Sequence, residues 1–164
     1  MTQTPENNGA AAGAIDPANP PTFVVMAQYL KDLSFESPHA PNSFQSTTAP
    51  KIDVNVDVQG RTLGRDQYEV ELSVQAKAAR DAEAVFIVET SYAGVFEIKN
   101  LPRDQLEVAM LVECPRLLFP FMRQIVSDAT RNGNFPPLML EPIDFMGIYL
   151  RNREQGQAGE GGAA

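Results

Sequence analysis

The sequence predicts an α+β fold: a four-stranded antiparallel sheet packed against a long helix, with a short C-terminal helix after it. Three observations carry this. Alternating apolar and polar residues recur through residues 23–98, helical spacing replaces alternation from about residue 103, and the links between the alternating runs are short. At 164 residues the chain is about one domain long.

The first strand is expected in FVVMAQYLKDLSFE (23–36), with Tyr29, Leu33 and Phe35 on one side and Asp32, Ser34 and Glu36 on the other. SPHAPNSFQSTTAP follows as a long connection whose single large apolar residue is Phe44. In IDVNVDV (52–58), Ile52, Val54, Val56 and Val58 oppose Asp53, Asn55 and Asp57. YEVELSVQAKA (68–78) and AVFIVETSYAGVFEI (84–98) supply the third and fourth strands, linked by GRTLGRDQ and AARDAE. Ala93-Gly94 interrupts the last alternation and predicts a bulge or kink.

Asn100 reads as a helix N-cap, with Pro102 in the first turn and RDQLEVAMLVEC after it. From Pro115 onward Leu118, Met122, Ile125 and Ala129 recur at helical spacing, with Leu117 and Phe121 beside them. Pro115 and Pro120 predict a break near one of them, and Gly133 stands where the helix should stop. A last short helix is expected from about Pro142 to Asn152. Residues 1–21 and 153–164 have almost nothing to bury and are expected to be flexible tails, which leaves 22–152 as the folded domain. The stripe over 117–129 is wider than one side of a small sheet would hide. It predicts a homo-oligomer with Leu117, Leu118, Phe121, Met122 and Ile125 at the interface.

A net charge of −8 and a pI near 4.6 argue against a nucleic-acid partner, which would call for clustered Lys and Arg. The lone Cys114 excludes an intrachain disulfide and a CxxC metal site. The opening residues lack the basic and apolar regions of a signal peptide, and no run reaches the roughly 18 apolar residues of a membrane span, so a soluble cytosolic protein without direct membrane insertion is expected.

Catalytic chemistry finds no support. His39, the single histidine, lies in a Pro-flanked loop, and Cys114 sits in an apolar helical run. Asp53, Asn55 and Asp57 start like a calcium loop, but Val58 and Gly64 occupy the places where that loop requires Gly and Glu. The glycines of GRTLG lack the Lys-Ser/Thr of a phosphate cradle. Neither an enzyme nor a cofactor nor a metal is expected.

GNFPPLMLEPIDF (133–145) poses the functional question, because it crowds large apolar side chains onto a backbone that its prolines keep irregular. Such a segment either closes the core and an oligomer interface or, beside the Phe44 loop, forms one wall of a binding groove.

The runs YLKDLSFESPHAPNSF (29–44), CPRLLFPFMRQIVSDATRNGNFPPLMLEPIDF (114–145) and VFIVET with YAGVF (85–96) resemble the SecB family of bacterial protein-export chaperones over residues 22–152. The resemblance implies a dimer of dimers in which two chains join an eight-stranded sheet and the dimers stack through their helices. It implies an ATP-independent cytoplasmic chaperone that holds precursor polypeptides unfolded and delivers them to the SecA ATPase. The client groove would lie between the Phe44 loop and the segment joining the helices, with Phe44, Phe135, Leu138, Leu140, Ile143 and Phe145 as its residues. Asp32, Glu36, Ile87 and Glu89 match the family's SecA-docking surface. Two other readings use the same residues: a SecB-like chaperone dedicated to one client such as an antitoxin, and a carrier of a small apolar ligand.

Overall fold

The computed structural model describes residues 15–160, with side chains through residue 157. Residues 1–14 of the expected tail 1–21 and residues 161–164 of the expected tail 153–164 lie outside the described residues, while 153–160 are helical, not a flexible tail. The strands are β1 (Thr22–Glu36), β2 (Lys51–Gly64), β3 (Gln67–Arg80) and β4 (Glu83–Lys99), in the order β1-β4-β3-β2 and all antiparallel. The helical half comprises α1 (Arg103–Val108), a π-helical turn (Ala109–Glu113), α2 (Cys114–Asn132) and α3 (Phe145–Glu160).

The strands absorb most of the expected links. Only Arg65-Asp66 separates β2 from β3, and only Asp81-Ala82 separates β3 from β4. Asp66, Asp81 and Ala82 have φ of 59°, 48° and 69°, the left-handed backbone that tight hairpins demand.

Alternation locates the core on one face. Val70, Leu72, Val74, Ala76 and Ala78 of β3 stand beside Phe86, Val88, Thr90, Phe96 and Ile98 of β4, all buried beneath the helices. β4 runs through Ala93-Gly94 without a bulge, in unbroken register with β3. Gly94 serves a different end. A Cβ there would lie 2.8 Å from the Phe96 ring and 3.2 Å from Leu118, so glycine lets α2 approach the sheet.

β1 instead carries two bulges, its register skipping Met26 and Lys31. Each skip reverses the side chains that follow. Leu33 and Phe35 therefore pair with Thr90 and Val88 on the core face, whereas Tyr29 pairs with Ala93 on the outer face, not beside them as simple alternation predicts.

The helical segment also departs from expectation at its ends. Asn100 is no N-cap: its φ is 61° and its side-chain amide donates to the Pro20 carbonyl, while Pro102 occupies the cap position of α1. The break lies just before Pro115, where the Cys114 N–H reaches back to the Ala109 carbonyl. Proline offers no N–H to continue the ordinary ladder there. Pro120 sits within α2 with no break. At the far end the left-handed residue is Asn134 (φ 65°), whereas Gly133 has φ −79° and leaves room for the Phe35 ring. Asp144 caps α3 by accepting from the Gly147 N–H at 3.0 Å, and the helix continues past the expected stop at Asn152. None of the described helices is long and apolar enough to cross a membrane.

Candidate functional site: an apolar groove and an acidic sheet face

The linker between α2 and α3 is held by one buried hydroxyl. Thr130 Oγ1 lies 3.0 Å from the Val126 carbonyl oxygen, to which it donates, and accepts from the Leu138 N–H at 2.9 Å. The Phe135 N–H bonds the Thr130 carbonyl at 3.1 Å. This joint turns Phe135 inward, where its ring meets Phe86 at 4.9 Å, Phe44 at 5.3 Å and Phe35 at 6.3 Å between centroids.

The space beside these rings is a groove of about 550 Å³. Phe86, Phe135 and Leu138 provide apolar lining, and Ser46–Pro50, Ile52, Pro136 and Pro137 also line it. Phe44 sits on the rim, 40% exposed. Irregular backbone suits such a place, since Pro136 and Pro137 bring no N–H groups that an apolar visitor would leave unpaired.

Of the expected groove residues, the fold therefore gathers Phe44, Phe135 and Leu138. Leu140 and Phe145, 4% and 2% exposed, are buried in the main core, and Ile143 packs against that core; none of the three lines the groove. Past Leu138 the linker turns Leu140, Ile143 and Phe145 inward against the core, while Met139 stays exposed. Phe35 and Phe86 belong to the aromatic cluster and were missed from sequence. Their signal was present in the strand alternation, but it reads as ordinary sheet core.

The helix stripe divides in the same way. Leu118 and Met122 are fully buried against their own sheet, so they cannot face a partner as expected, whereas Leu117 and Phe121 are 44% and 45% exposed and Ile125 is half-buried. Phe121 stacks on Tyr92 at 5.7 Å. Phe23, Val25 and Leu30 of the edge strand β1 are exposed on the same side of the sheet.

The opposite face of the sheet is polar. Glu36 stands across from Ile87, Ser34 from Glu89 and Asp32 from Ser91, so the four expected docking positions share one patch on neighbouring strands. Gln75 Nε2 donates to Glu89 Oε1 at 2.7 Å. Farther along this face Glu69 is clamped from both sides: Arg61 Nε donates at 2.9 Å, Lys31 Nζ at 3.2 Å, and the Tyr29 hydroxyl also donates. The small Ala93 between β1 and β3 lets Tyr29 and Lys31 reach across β4. The Arg61 bond first, then those of Tyr29 and Lys31, outweigh burial and hold the Glu69 carboxyl down at about 2. Burial pushes the Cys114 thiol up to about 12, a value unsuited to a nucleophile.

Residues 16–156 match the family model described as preprotein translocase subunit SecB. The protein-export protein SecB of Maricaulis maris is 52% identical over 89% of this chain and 81% of its own. Its counterpart in Zymomonas mobilis is 48% identical over 91% and 90% of the two chains. Among solved structures, the Mycobacterium tuberculosis SecB-like chaperone, determined with a peptide from an antitoxin, has the same fold: TM-score 0.63, 16% identity, covering 74% of this chain and 90% of that one.

Proposed function

The chain belongs to the SecB family of protein-export chaperones, and from that premise we propose that its groove holds unfolded precursor polypeptides in the cytoplasm for delivery to the SecA ATPase. The observation that carries this reading is the groove itself, an apolar surface left uncovered between the Phe44 loop and the 134–138 linker. A client side chain entering it contributes about 1.5–3 kcal/mol before ordering costs. One such contact is weak and indifferent to sequence, which suits reversible holding. Several grooves in one assembly multiply the affinity for a long unfolded chain and leave a folded client, with its apolar residues buried, unbound.

The assembly is a homotetramer built as a dimer of dimers. Phe23, Val25 and Leu30 on the edge of β1 and Leu117, Phe121 and Ile125 on α2 are the apolar surfaces that partner copies cover, while Asp32, Glu36, Ile87 and Glu89 take a basic segment of SecA. The export names of relatives near half identity favour many precursors over one dedicated antitoxin. The open form of the groove argues against a small-ligand carrier.

Light-scattering mass on a sizing column tests the proposal, with a secretory precursor diluted from denaturant and the same precursor folded. The expected result is a tetramer that comigrates with the unfolded precursor and ignores the folded one. A tetramer that captures neither overturns the holding role, and a monomer overturns the assembly.

A further inference from the structure

Among the described residues, Arg80, the last residue of β3, is the one charged side chain on the groove lining. Its Nε donates to the Thr48 carbonyl at 2.5 Å and its Nη1 to the Ser43 carbonyl at 2.9 Å. Those two carbonyls bracket the stretch that carries Phe44 at one end and the groove wall at the other. The remaining hydrogen bonds of this connection are local: Ala40 N–H to the Ser37 carbonyl, Ser43 N–H to His39, Phe44 N–H to Pro41 and Thr48 N–H to the Ser46 hydroxyl. Among the described residues, the two from Arg80 are the only hydrogen bonds between residues 37–50 and the rest of the fold.

That tie matters because of what it restrains. An exposed phenylalanine on a loop beside an empty apolar groove gains by folding into it, since burial of its ring is favourable whoever supplies the groove. A loop free to do so would occupy the site meant for a client. A guanidinium can oppose this where an aliphatic side chain cannot, because its planar fork presents donors in fixed directions to two acceptors at once.

We propose that Arg80 is a positioning residue for client capture: by bridging the Ser43 and Thr48 carbonyls it holds the loop wall in place and keeps Phe44 on the rim, so that the groove stays open. The inference rests on the holding role proposed above and adds to it the device that stops the groove from filling itself. A groove open only part of the time binds with an affinity reduced by that fraction.

The test has two arms. In the first, capture of an unfolded precursor is compared for the unsubstituted tetramer, Arg80→Met and Arg80→Lys. The expected order is strongest for the unsubstituted chain, weaker by on the order of fivefold for Arg80→Met, and between them for Arg80→Lys, whose single ammonium lacks the fork. The second arm needs no client. The chain contains no tryptophan, so Phe44→Trp gives a single indole at the rim, excited apart from the tyrosines at wavelengths too long for them to absorb, whose emission should shift to the blue when Arg80→Met is added. Equal capture by all three chains overturns the proposal. Weaker capture with unchanged emission also overturns it, because Arg80 would then act on the client directly. Should the unsubstituted chain capture nothing, the holding role fails, while the emission still decides whether Arg80 positions the loop. If Arg80→Met does not fold, the emission of Arg80→Lys carries the comparison: a partial blue shift supports the clamp and no shift overturns it.

Discussion

On the helix-facing side of the sheet, β3 and β4 bury Val70, Leu72, Val88 and Phe96 completely, and the apolar surface continues without a step into the aromatic groove. On the other side the same strands carry Ser73, Gln75, Glu89 and Ser91, and of the docking residues proposed for that face Asp32, Glu36 and Glu89 are exposed charges while Ile87 is half-buried. On the proposed reading, one face holds the fold and the client with the same kind of surface, so its binding residues are also structural. The other is supported from beneath, so its charges are free to be chosen for a partner. The lesson is that client binding and stability are coupled on the first face and separable on the second.

Breaking the first face should therefore cost most. Phe135→Ala removes the ring that joins Phe44, Phe86 and Phe35, and we expect a loss of about 3–5 kcal/mol in denaturant unfolding, together with loss of precursor capture. A variant that captures normally would separate groove from core. Thr130→Val keeps the shape of the side chain but strands the Leu138 N–H, which it now accepts at 2.9 Å. The expected cost is about 1–3 kcal/mol, read as a lowered denaturant midpoint with raised hydrogen exchange at Leu138.

Legibility in the sequence followed the same division. The polar face of β2 and the core face of β3 were readable because alternation has a fixed period and neither strand carries a bulge there. β1 was misread at Tyr29, before the skipped Lys31, because a skipped residue leaves no mark of its own among exposed and half-buried side chains. At Ala93-Gly94 a glycine required by helix approach was indistinguishable from one required by a bulge. The linker was harder still. Its prolines abolish any period, so nothing in the chain separates Leu138, which faces the groove, from Leu140, which faces the core. Phe35 and Phe86 escaped notice because a groove is assembled between segments remote in sequence, and no local pattern encodes their meeting.

The outer face sharpens the comparison. Glu69 is the exception there, a nearly buried carboxyl held from 4.5 down to about 2 by its donors. A depressed carboxyl stabilises the fold fully above its unfolded value and loses that contribution as pH falls through about 2. Glu69→Gln should cost about 1–2 kcal/mol at neutral pH and flatten the acid limb of stability between pH 4.5 and 2. An unchanged acid limb would assign the protection to another group. Glu89→Lys, by contrast, should change stability by less than about 0.5 kcal/mol and leave the tetramer and precursor capture intact. It should weaken SecA binding in a salt-sensitive way, and unchanged SecA affinity in a titration would remove Glu89 from the docking surface.

The four rings of the aromatic cluster come from β1, the loop after it, β4 and the linker behind α2. During synthesis they leave the ribosome in that order, with Phe135 last and most of the chain already made. A truncated or half-translated copy thus has the sheet's exposed edges but no groove with which to seize a client. On the proposed reading the holding groove is complete only after Phe135 has been made, so a partly synthesised copy lacks the surface that would seize its neighbours.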